Sequence, residues 1–458
     1  MDHSLTGPNR ISYWARTPAY RSALRPTQIK YSASQDTAID QISDDSINCY
    51  KIRPLDATKR EIRLIHLLPR LSPAEDDYLV RCRIEHVSLD DNPTYLALSY
   101  LWGPPQPTRT ILLEGKRFRI REDLAIALQQ LQHHRDELVL WVDAICINEE
   151  GDEDEKGEQI RLMGAIFSGA AIVLAWLGAA NDSDSVMETL DCLGKALLYS
   201  MLKGSEFYDA RRDFISTKMA SIPLDHVEAI CKFFRREWWY RVWILQEMAL
   251  AKDVIMICGD FGMPHGIMAN AYAAILTCAR DGHPPAEIAR SLRIKLLLHP
   301  PGLLAAAPRI FQARGQNSQK PLKQRIFESK GMKATEARDH IIALLPVAHD
   351  ASVLGLSPMP MRSAAIVYTE ATSALIVRGS DLQILSICQF PWFPKPHEVL
   401  PSWVPDFSMT IPSMIWSQHG KSLYSAGGTG QAISRVDESI RILTLTGVRF
   451  DTIYRAGK

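Results

Sequence analysis

Residues 138–148 read Leu-Val-Leu-Trp-Val-Asp-Ala-Ile-Cys-Ile-Asn, an almost wholly apolar stretch that runs into a strongly acidic segment. Its length, its branched residues and its polar end favour a strand over a helix, covered on both faces as in a parallel sheet. Asp143 is the exception, because an unpaired carboxylate among apolar neighbours is costly. We therefore expect Asp143 to be paired, hydrogen-bonded or protonated.

Two interpretations of Asp143 stay open. It is either a structural acid that satisfies a nearby turn or helix, or a site residue. The second is possible in principle because ligands of open α/β sheets bind outside the carboxyl ends of the strands.

Working outward from this stretch, whose strand we predict over 138–144, three other apolar segments have the character of buried strands, at 95–100, 171–177 and 254–258. Helical patterns separate them, which predicts an α/β fold with a parallel sheet and helices on both faces. Residues 61–68 and 78–84 alternate as strands, and 110–113 with 118–120 have the pattern of a hairpin.

The composition is that of an ordinary globular protein, with 46% apolar and 23% charged residues. Its 52 basic and 52 acidic residues cancel, so nothing in the overall charge argues for a nucleic acid or an anionic membrane as partner. Eight scattered cysteines lack zinc spacing and favour free thiols in the cytoplasm. The basic, Ser-rich N-terminus leaves a mitochondrial alternative, against which its prolines argue.

Residues 162–181 contain no charge and are long enough to be a transmembrane candidate. Three glycines and several alanines favour a different interpretation, the end of a helix, a turn and a short strand. We expect no membrane span. We also expect no metal site, because the acidic run at 149–155 lacks the ligand spacing of an EF-hand.

Four regions are predicted. Residues 1–45 form a disordered tail, 46–92 a strand extension, and 93–262 the α/β domain. Residues 263–458 form a mainly helical region that ends in short strands. Within the α/β domain, residues 236–251 are expected to form one helix with Trp239, Trp243 and Gln246 on a single face.

Several phrases of this sequence resemble, in order and spacing, the fungal heterokaryon incompatibility (HET) domain. They are Ser99-Tyr-Leu-Trp-Gly103, Leu140-Trp-Val-Asp-Ala-Ile-Cys-Ile-Asn148, Glu158-Gln159, Trp176-Leu-Gly178 and Arg241-Val-Trp-Ile-Leu-Gln-Glu247. The resemblance implies a TIR-like fold and a role in non-self recognition, with the domain as a death-triggering effector. Two departures are Glu149, where the family commonly has Gln, and the end at Lys458, where many relatives continue; a truncated chain is one interpretation.

The resemblance also implies a set of binding or motif residues. These are Ser99, Tyr100, Trp102, Gly103, Trp141, Asp143, Asn148, Glu158, Gln159, Trp239, Arg241, Trp243 and Gln246.

Two mechanisms follow from the resemblance. In the first, the domain acts by assembly with protein partners or with copies of itself, since no complete catalytic constellation is present in the sequence. In the second, it cleaves NAD as some TIR-like domains do, with Glu247 as the catalytic glutamate that stabilises the developing oxocarbenium-like ribose, no resident cofactor being established. The structural alternative for Glu247 is an ion pair with Arg241 in the core.

Overall fold

The computed structural model describes residues 21, 24–26, 50, 52–70, 79–132, 136–148, 153–180, 184–202, 217, 222–281, 310–311, 320–358, 361–379, 382–388, 400–409, 433–437 and 442–446. The chain divides into two compact units, residues 1–315 and 316–458. The first unit contains the sheet on which the predicted site depends.

Four parallel strands form the part of the sheet that the sequence predicts. Strand β4 (Leu96–Tyr100) lies between β7 (Asp136–Trp141) and β8 (Ile172–Trp176), and β9 (Val254–Cys258) follows β8. Every residue of β4, β8 and β9 is buried. Continuous apolar strands of this kind are typical of a parallel sheet that is covered on both faces.

The same sheet continues as antiparallel and mixed strands, so the prediction of a parallel sheet is correct only for its centre. Strand β2 (Glu61–Leu67) pairs antiparallel with β7, and β3 (Arg81–Ser88) pairs antiparallel with β2. Strand β5 (Thr108–Leu113) lies parallel to β3 and forms a hairpin with β6 (Lys116–Arg121). The sheet is mixed because the alternating strands before residue 93 join it directly.

Two further short strands join the sheet. Strand β10 (Phe261–Pro264) pairs antiparallel with β9, which gives the order β10-β9-β8-β4-β7-β2-β3-β5-β6. Strand β1 (Leu24–Pro26) pairs with β7 and lies inside the segment predicted as a disordered tail. The boundary predicted after residue 262 falls within β10, and the first compact unit extends beyond it.

The apolar stretch at 138–148 passes from strand to helix earlier than predicted. Strand β7 ends at Trp141, and a single helical turn, α2 (Asp143–Cys146), follows, whereas the sequence predicted a strand to residue 144. The amide of Cys146 donates to the carbonyl of Val142, and the carboxylate of Asp143 accepts from the amide of Ala144 at 2.7 Å. Asp143 therefore starts a helix, a place where short acidic side chains are favoured.

The first unit contains further helices besides α2. They are α1 (Glu122–Leu131), α3 (Glu153–Gly169), α4 (Asp184–Leu202), α5 (Leu224–Phe233), α6 (Ile244–Leu250) and α7 (His265–Asp281). The uncharged segment, as far as residue 180, contains the end of α3 and strand β8, as expected. Within the described residues, no helix is long and apolar enough to cross a membrane. Coverage of both sheet faces by helices stays a prediction.

The single helix predicted for 236–251 is wrong, because two pieces take its place. A 3₁₀ turn (Glu237–Tyr240) and α6 are separated by residues 241–243, and the backbone of Arg241 is extended with ψ 130°. This break turns the side chain of Arg241 back to the carbonyl of Tyr100, to which it donates a hydrogen bond. A tertiary contact has therefore overridden the local helical pattern.

The second unit is helical with a small sheet, in partial agreement with the sequence. Its helices are α8 (Leu322–Glu328), α9 (Asp339–Ile342) and α10 (Ala364–Val377). Strands β11 (Ile433–Val436) and β12 (Leu443–Thr446) pair antiparallel.

Candidate functional site

A buried hydrogen-bonded group lies at the carboxyl end of β4. The hydroxyl of Ser99 donates to Oε2 of Glu247, and the indole Nε1 of Trp238 donates to the Ser99 oxygen at 3.2 Å. Ser99 is 1% and Glu247 2% exposed, so both groups are removed from water. The serine thus links the end of strand β4 to helix α6.

Two opposing effects act on the Glu247 carboxyl. Burial raises its pKa, and the negative charge of Asp143 raises it further. The guanidinium of Arg241, with Nη1 at 3.9 Å from Oε1, and the bond from Ser99 act in the other direction. The net result is a raised pKa, because Arg241 is directed to the Tyr100 carbonyl and lies at the outer limit of an ion pair.

Asp143 has the partners that its apolar sequence context demands. Its Oδ2 accepts from the indole Nε1 of Trp102 at 2.7 Å, and its side chain is hydrogen-bonded to the hydroxyl of Tyr100. Burial, followed by the charge of Asp143, raises the pKa of the Tyr100 hydroxyl well above its usual value. The donors from β4 and from the loop after it therefore converge on the first turn of α2.

Trp102 is held from a second side by strand β6. The guanidinium carbon of Arg121 lies 5.0 Å from the centroid of the Trp102 ring, and its Nη1 donates to the carbonyl of Gly103 at 2.7 Å. Gly103 has φ +67°, and a Cβ added there would meet Oδ2 of Asp123 at 2.0 Å. Glycine is needed at this position both for its backbone conformation and for the close approach of Asp123.

We call this arrangement the rim cluster, and it contains seven of the residues predicted from the sequence. They are Ser99, Tyr100, Trp102, Gly103, Asp143, Arg241 and Glu247. The Ser-Tyr-Leu-Trp-Gly, Val-Asp-Ala and Gln-Glu phrases therefore meet in the fold. Sequence reasoning missed Trp238, Arg121 and Asp123, since nothing in their local spacing indicates which distant group each one contacts.

Other predicted residues lie elsewhere. Trp141 packs edge to face on Phe167, and Trp239 donates to the carbonyl of Phe233 within a cluster of aromatic rings. Glu158 forms a surface ion pair with the side chain of Arg161.

The remaining motif residues are Gln159, Trp243, Gln246 and Asn148. Gln159 donates to the Glu61 carbonyl at 3.0 Å, and the Trp243 carbonyl accepts from the amide of Glu247 at 3.1 Å. The buried side-chain amide of Gln246 has no hydrogen-bond partner within the described part of the chain. Asn148 follows α2 and is half-buried, whereas Glu149 lies outside the described residues.

The chemistry of the rim cluster is that of two acids in different environments. Asp143 accepts hydrogen bonds from Trp102, Tyr100 and the amide of Ala144, and Glu247 is buried beside a hydroxyl and a distant guanidinium. In the described ranges, His, Cys, Asp and Glu side chains do not form a group of three that could hold a metal ion. Whether the rim cluster acts on a ligand stays a prediction.

Comparison with known proteins confirms the resemblance that the motifs indicated. Residues 95–247 match the model of the family described as heterokaryon incompatibility protein (HET). These bounds run from the start of β4 to Glu247, and so enclose every residue of the rim cluster.

A relative from Neurospora crassa, heterokaryon incompatibility protein 6 (OR allele), is 29% identical to the chain. The similarity covers 81% of this chain and 61% of the relative, so the chain spans about three fifths of the relative's length. No solved structure matches the chain.

Proposed function

We propose that this chain, whose residues 95–247 carry a HET domain, acts in fungal heterokaryon incompatibility as an effector of cell death after non-self recognition. The observation that carries the proposal is the coincidence of the family match with the rim cluster. The similarity to the Neurospora crassa protein extends well beyond the domain and supports a common role for the flanking regions.

Assembly is the mode of action that we propose. The carboxylate of Glu247 and the hydroxyl of Ser99 are each at most 2% exposed and are bonded to one another. Because these two groups satisfy each other inside the fold, they hold α6 and the loop after β4 in place. Recognition is then left to the surfaces around them. Protein partners or further copies of the chain are the proposed ligands of these surfaces.

The cytoplasm is the proposed compartment. Four thiols in the sheet unit, Cys82, Cys146, Cys231 and Cys258, are free and buried. Buried free thiols are typical of proteins from a reducing compartment.

Inducible expression of the full chain in a filamentous fungus tests the proposal. We expect growth arrest or death with the wild type, and relief by Asp143→Asn, which weakens the bonds from Trp102 and Tyr100. Protein level and thermal stability are measured in parallel, because Asp143 also supports the fold. A wild-type chain that leaves growth unchanged would contradict the proposal.

Glu158→Gln provides the matched control. It removes one negative charge from a HET motif residue that lies at the surface, paired with Arg161. We expect this variant to arrest growth as the wild type does. Light scattering over a range of concentrations tests the assembly step, and a toxic chain that stays monomeric throughout would exclude it.

NAD cleavage, the alternative considered from the sequence, has no support from the comparisons and stays a prediction. The nearly complete burial of Glu247 agrees with its structural interpretation, since a nicotinamide riboside could reach this carboxylate only if the cluster opened. Nicotinamide release from NAD by the wild type but not by Glu247→Ala is the result that would restore it.

A further inference from the structure

The strand order leaves a crevice between the carboxyl ends of β4 and β8. These two strands lie side by side and parallel. The strands that follow β4 in the chain, β5 to β7, lie on one side of it, whereas β9, which follows β8, lies on the other side. In open α/β sheets, ligands bind in the crevice that such a reversal of strand order leaves outside the carboxyl ends. The end of β4 at Ser99 and Tyr100, and residues 177–180 after β8, border this crevice.

One short segment, residues 236–241, is bonded to both sides of the crevice, and we call it the strap. On the β8 side, Nη1 of Arg236 donates to the carbonyl of Leu177 at 2.7 Å. Its Nη2 donates to the carbonyls of Ala179 at 3.1 Å and Ala180 at 3.4 Å. Hydrogen bonds from a charged donor are stronger than those between neutral groups. Arg236 is therefore a firm anchor of the strap on the loop after β8.

On the β4 side, the strap is anchored by Arg241 and Trp238. The guanidinium of Arg241 donates to the carbonyl of Tyr100, and the indole of Trp238 donates to the Ser99 hydroxyl at 3.2 Å. The same hydroxyl donates to the carboxylate of Glu247. Trp238 is 1% and Glu247 2% exposed. The strap thus closes over the polar groups at the end of β4.

The backbone of the strap has the form of a rigid piece between two hinges. Its middle is the 3₁₀ turn Glu237–Tyr240, which is flanked by Arg236 with ψ 141° and Arg241 with ψ 130°. Hinges are usually a few residues at the ends of elements, where a change of φ and ψ moves the piece between them. Here the two hinge residues are also the two anchoring arginines, so loss of their side-chain bonds frees the turn to move.

Two polar groups of α6, the helix that follows the strap, are buried at a cost. The side-chain amide of Gln246 is 1% exposed and has no hydrogen-bond partner in the part of the chain that the structure describes. Burial raises the pKa of Glu247, because its charged form is poorly solvated there. An opening that admits water to such groups recovers part of this cost.

We propose that the strap is a hinged lid, which closes the crevice between β4 and β8 over Ser99 and Glu247 and opens as one unit about Arg236 and Arg241. In the open form, the hydroxyl of Ser99 and the carboxylate of Glu247 face the place where sheets of this kind bind ligands. The inference does not rest on the proposed function, because it concerns only a movement within the first compact unit.

Hydrogen–deuterium exchange of the full chain tests the proposal, with peptides that cover 237–247. Arg236→Met and Arg241→Met each remove the anchor on one side of the crevice. We expect either substitution to speed exchange throughout 237–247 by about tenfold to a hundredfold, because hydrogen bonds from a charged donor are lost. Peptides that cover β8 and β9 report the opening of the sheet itself, and they should exchange as in the wild type.

The double variant shows whether the strap moves as one unit. If it does, both anchors hold the same closed form, and the two accelerations multiply throughout 237–247. If each end instead shows only the acceleration of its own anchor, the ends open separately and the proposal is overturned. Equal acceleration in β8 and β9 would overturn it too, because the arginines would then support the whole sheet. Unchanged exchange in both single variants would have the same consequence.

Lys232→Met is the matched control. It removes a positive charge from an exposed position in the last turn of α5, four residues before Arg236. This variant should exchange like the wild type. Arg236→Lys tests the same anchor if Arg236→Met does not fold, since lysine keeps the charge but lacks the planar fork that reaches several carbonyls at once. We expect it to speed exchange in 237–247 by less than Arg236→Met, and wild-type exchange in this variant and in Arg241→Met would overturn the proposal.

Discussion

The two halves of the sheet handle polar groups differently. In the parallel half, β4, β8 and β9 are buried along their whole length, and the side chains that they contribute to the rim cluster, Ser99 and Tyr100, stand at the end of β4. In the antiparallel half, β2 and β3 carry charged residues within the strands, among them the fully buried Arg63. The polar groups of the candidate site therefore lie at the strand ends in the parallel half. In the antiparallel half, charged side chains are part of the buried core.

The largest expected effect comes from the buried charge of the antiparallel half. Arg63 is 0% exposed, pairs with Glu155 at 2.8 Å and donates to the carbonyls of Cys146 and Arg53. We expect Arg63→Met to lower the free energy of unfolding by about 3–5 kcal/mol, because it leaves a buried carboxylate unpaired. Urea unfolding measures the change.

Arg60→Met is the control for this substitution. Arg60 pairs with Asp90 at the surface, where both side chains are about half exposed. Such a pair contributes about 0–1 kcal/mol. Equal losses in the two variants would show that the buried pair does not hold β2 to α3.

Substitutions at two glycines compare how closely the two halves of the sheet are packed. Gly259 ends β9 with φ +53°, and a Cβ there would lie 2.4 Å from the Cβ of Ala180; Gly115 in the β5–β6 turn has φ +72° and open space. We expect Gly259→Ala to cost about 2–4 kcal/mol and Gly115→Ala about 1 kcal/mol, since only the first adds a clash to the backbone strain. Thermal or urea unfolding that ranks them in the reverse order would contradict the packing described.

Trp102→Phe tests the link from the β4 loop to α2. It removes the indole donor to Asp143 and keeps an aromatic ring beside Arg121. We expect a loss of about 1–2 kcal/mol, because a hydrogen bond to a charged acceptor is lost. In an Asp143→Asn background the loss should be smaller, and a double-mutant cycle without coupling would show that the two side chains act independently.

The smallest effect is a pH dependence. Burial raises the pKa of Glu247 in the folded state, so the stability that its neutral form contributes is present below its unfolded pKa and lost as pH rises through the folded pKa. Gln does not titrate. We therefore expect Glu247→Gln to gain stability relative to the wild type as pH rises from the pKa of an unfolded glutamate, about pH 4, through the raised folded-state pKa of Glu247.

Unfolding curves over this pH range provide the measurement, with Glu158→Gln as the exposed control. A stability difference between Glu247→Gln and wild type that stays constant with pH would mean that the pKa of the Glu247 carboxyl is not raised in the folded state.

The parallel strands were predictable because their pattern is unbroken: each is a short apolar run between polar segments. The helix predicted over 236–251 failed for the opposite reason. Its helical spacing is real, but the extended backbone of Arg241 lets its side chain reach Tyr100. Local pattern cannot include a hydrogen bond made to a residue about 140 positions away.

The sequence by itself determined the central α/β architecture, the motif segments and the demand that Asp143 find partners, because apolar periodicity and burial costs are local properties. Only the tertiary structure decided which partners those are. Strand order brings Ser99 to Glu247 and Trp102 to Asp143, places Arg121 over Trp102, and lets the antiparallel strands complete the same sheet. These choices depend on distances between segments far apart in the chain, which only the folded arrangement of strands and helices sets.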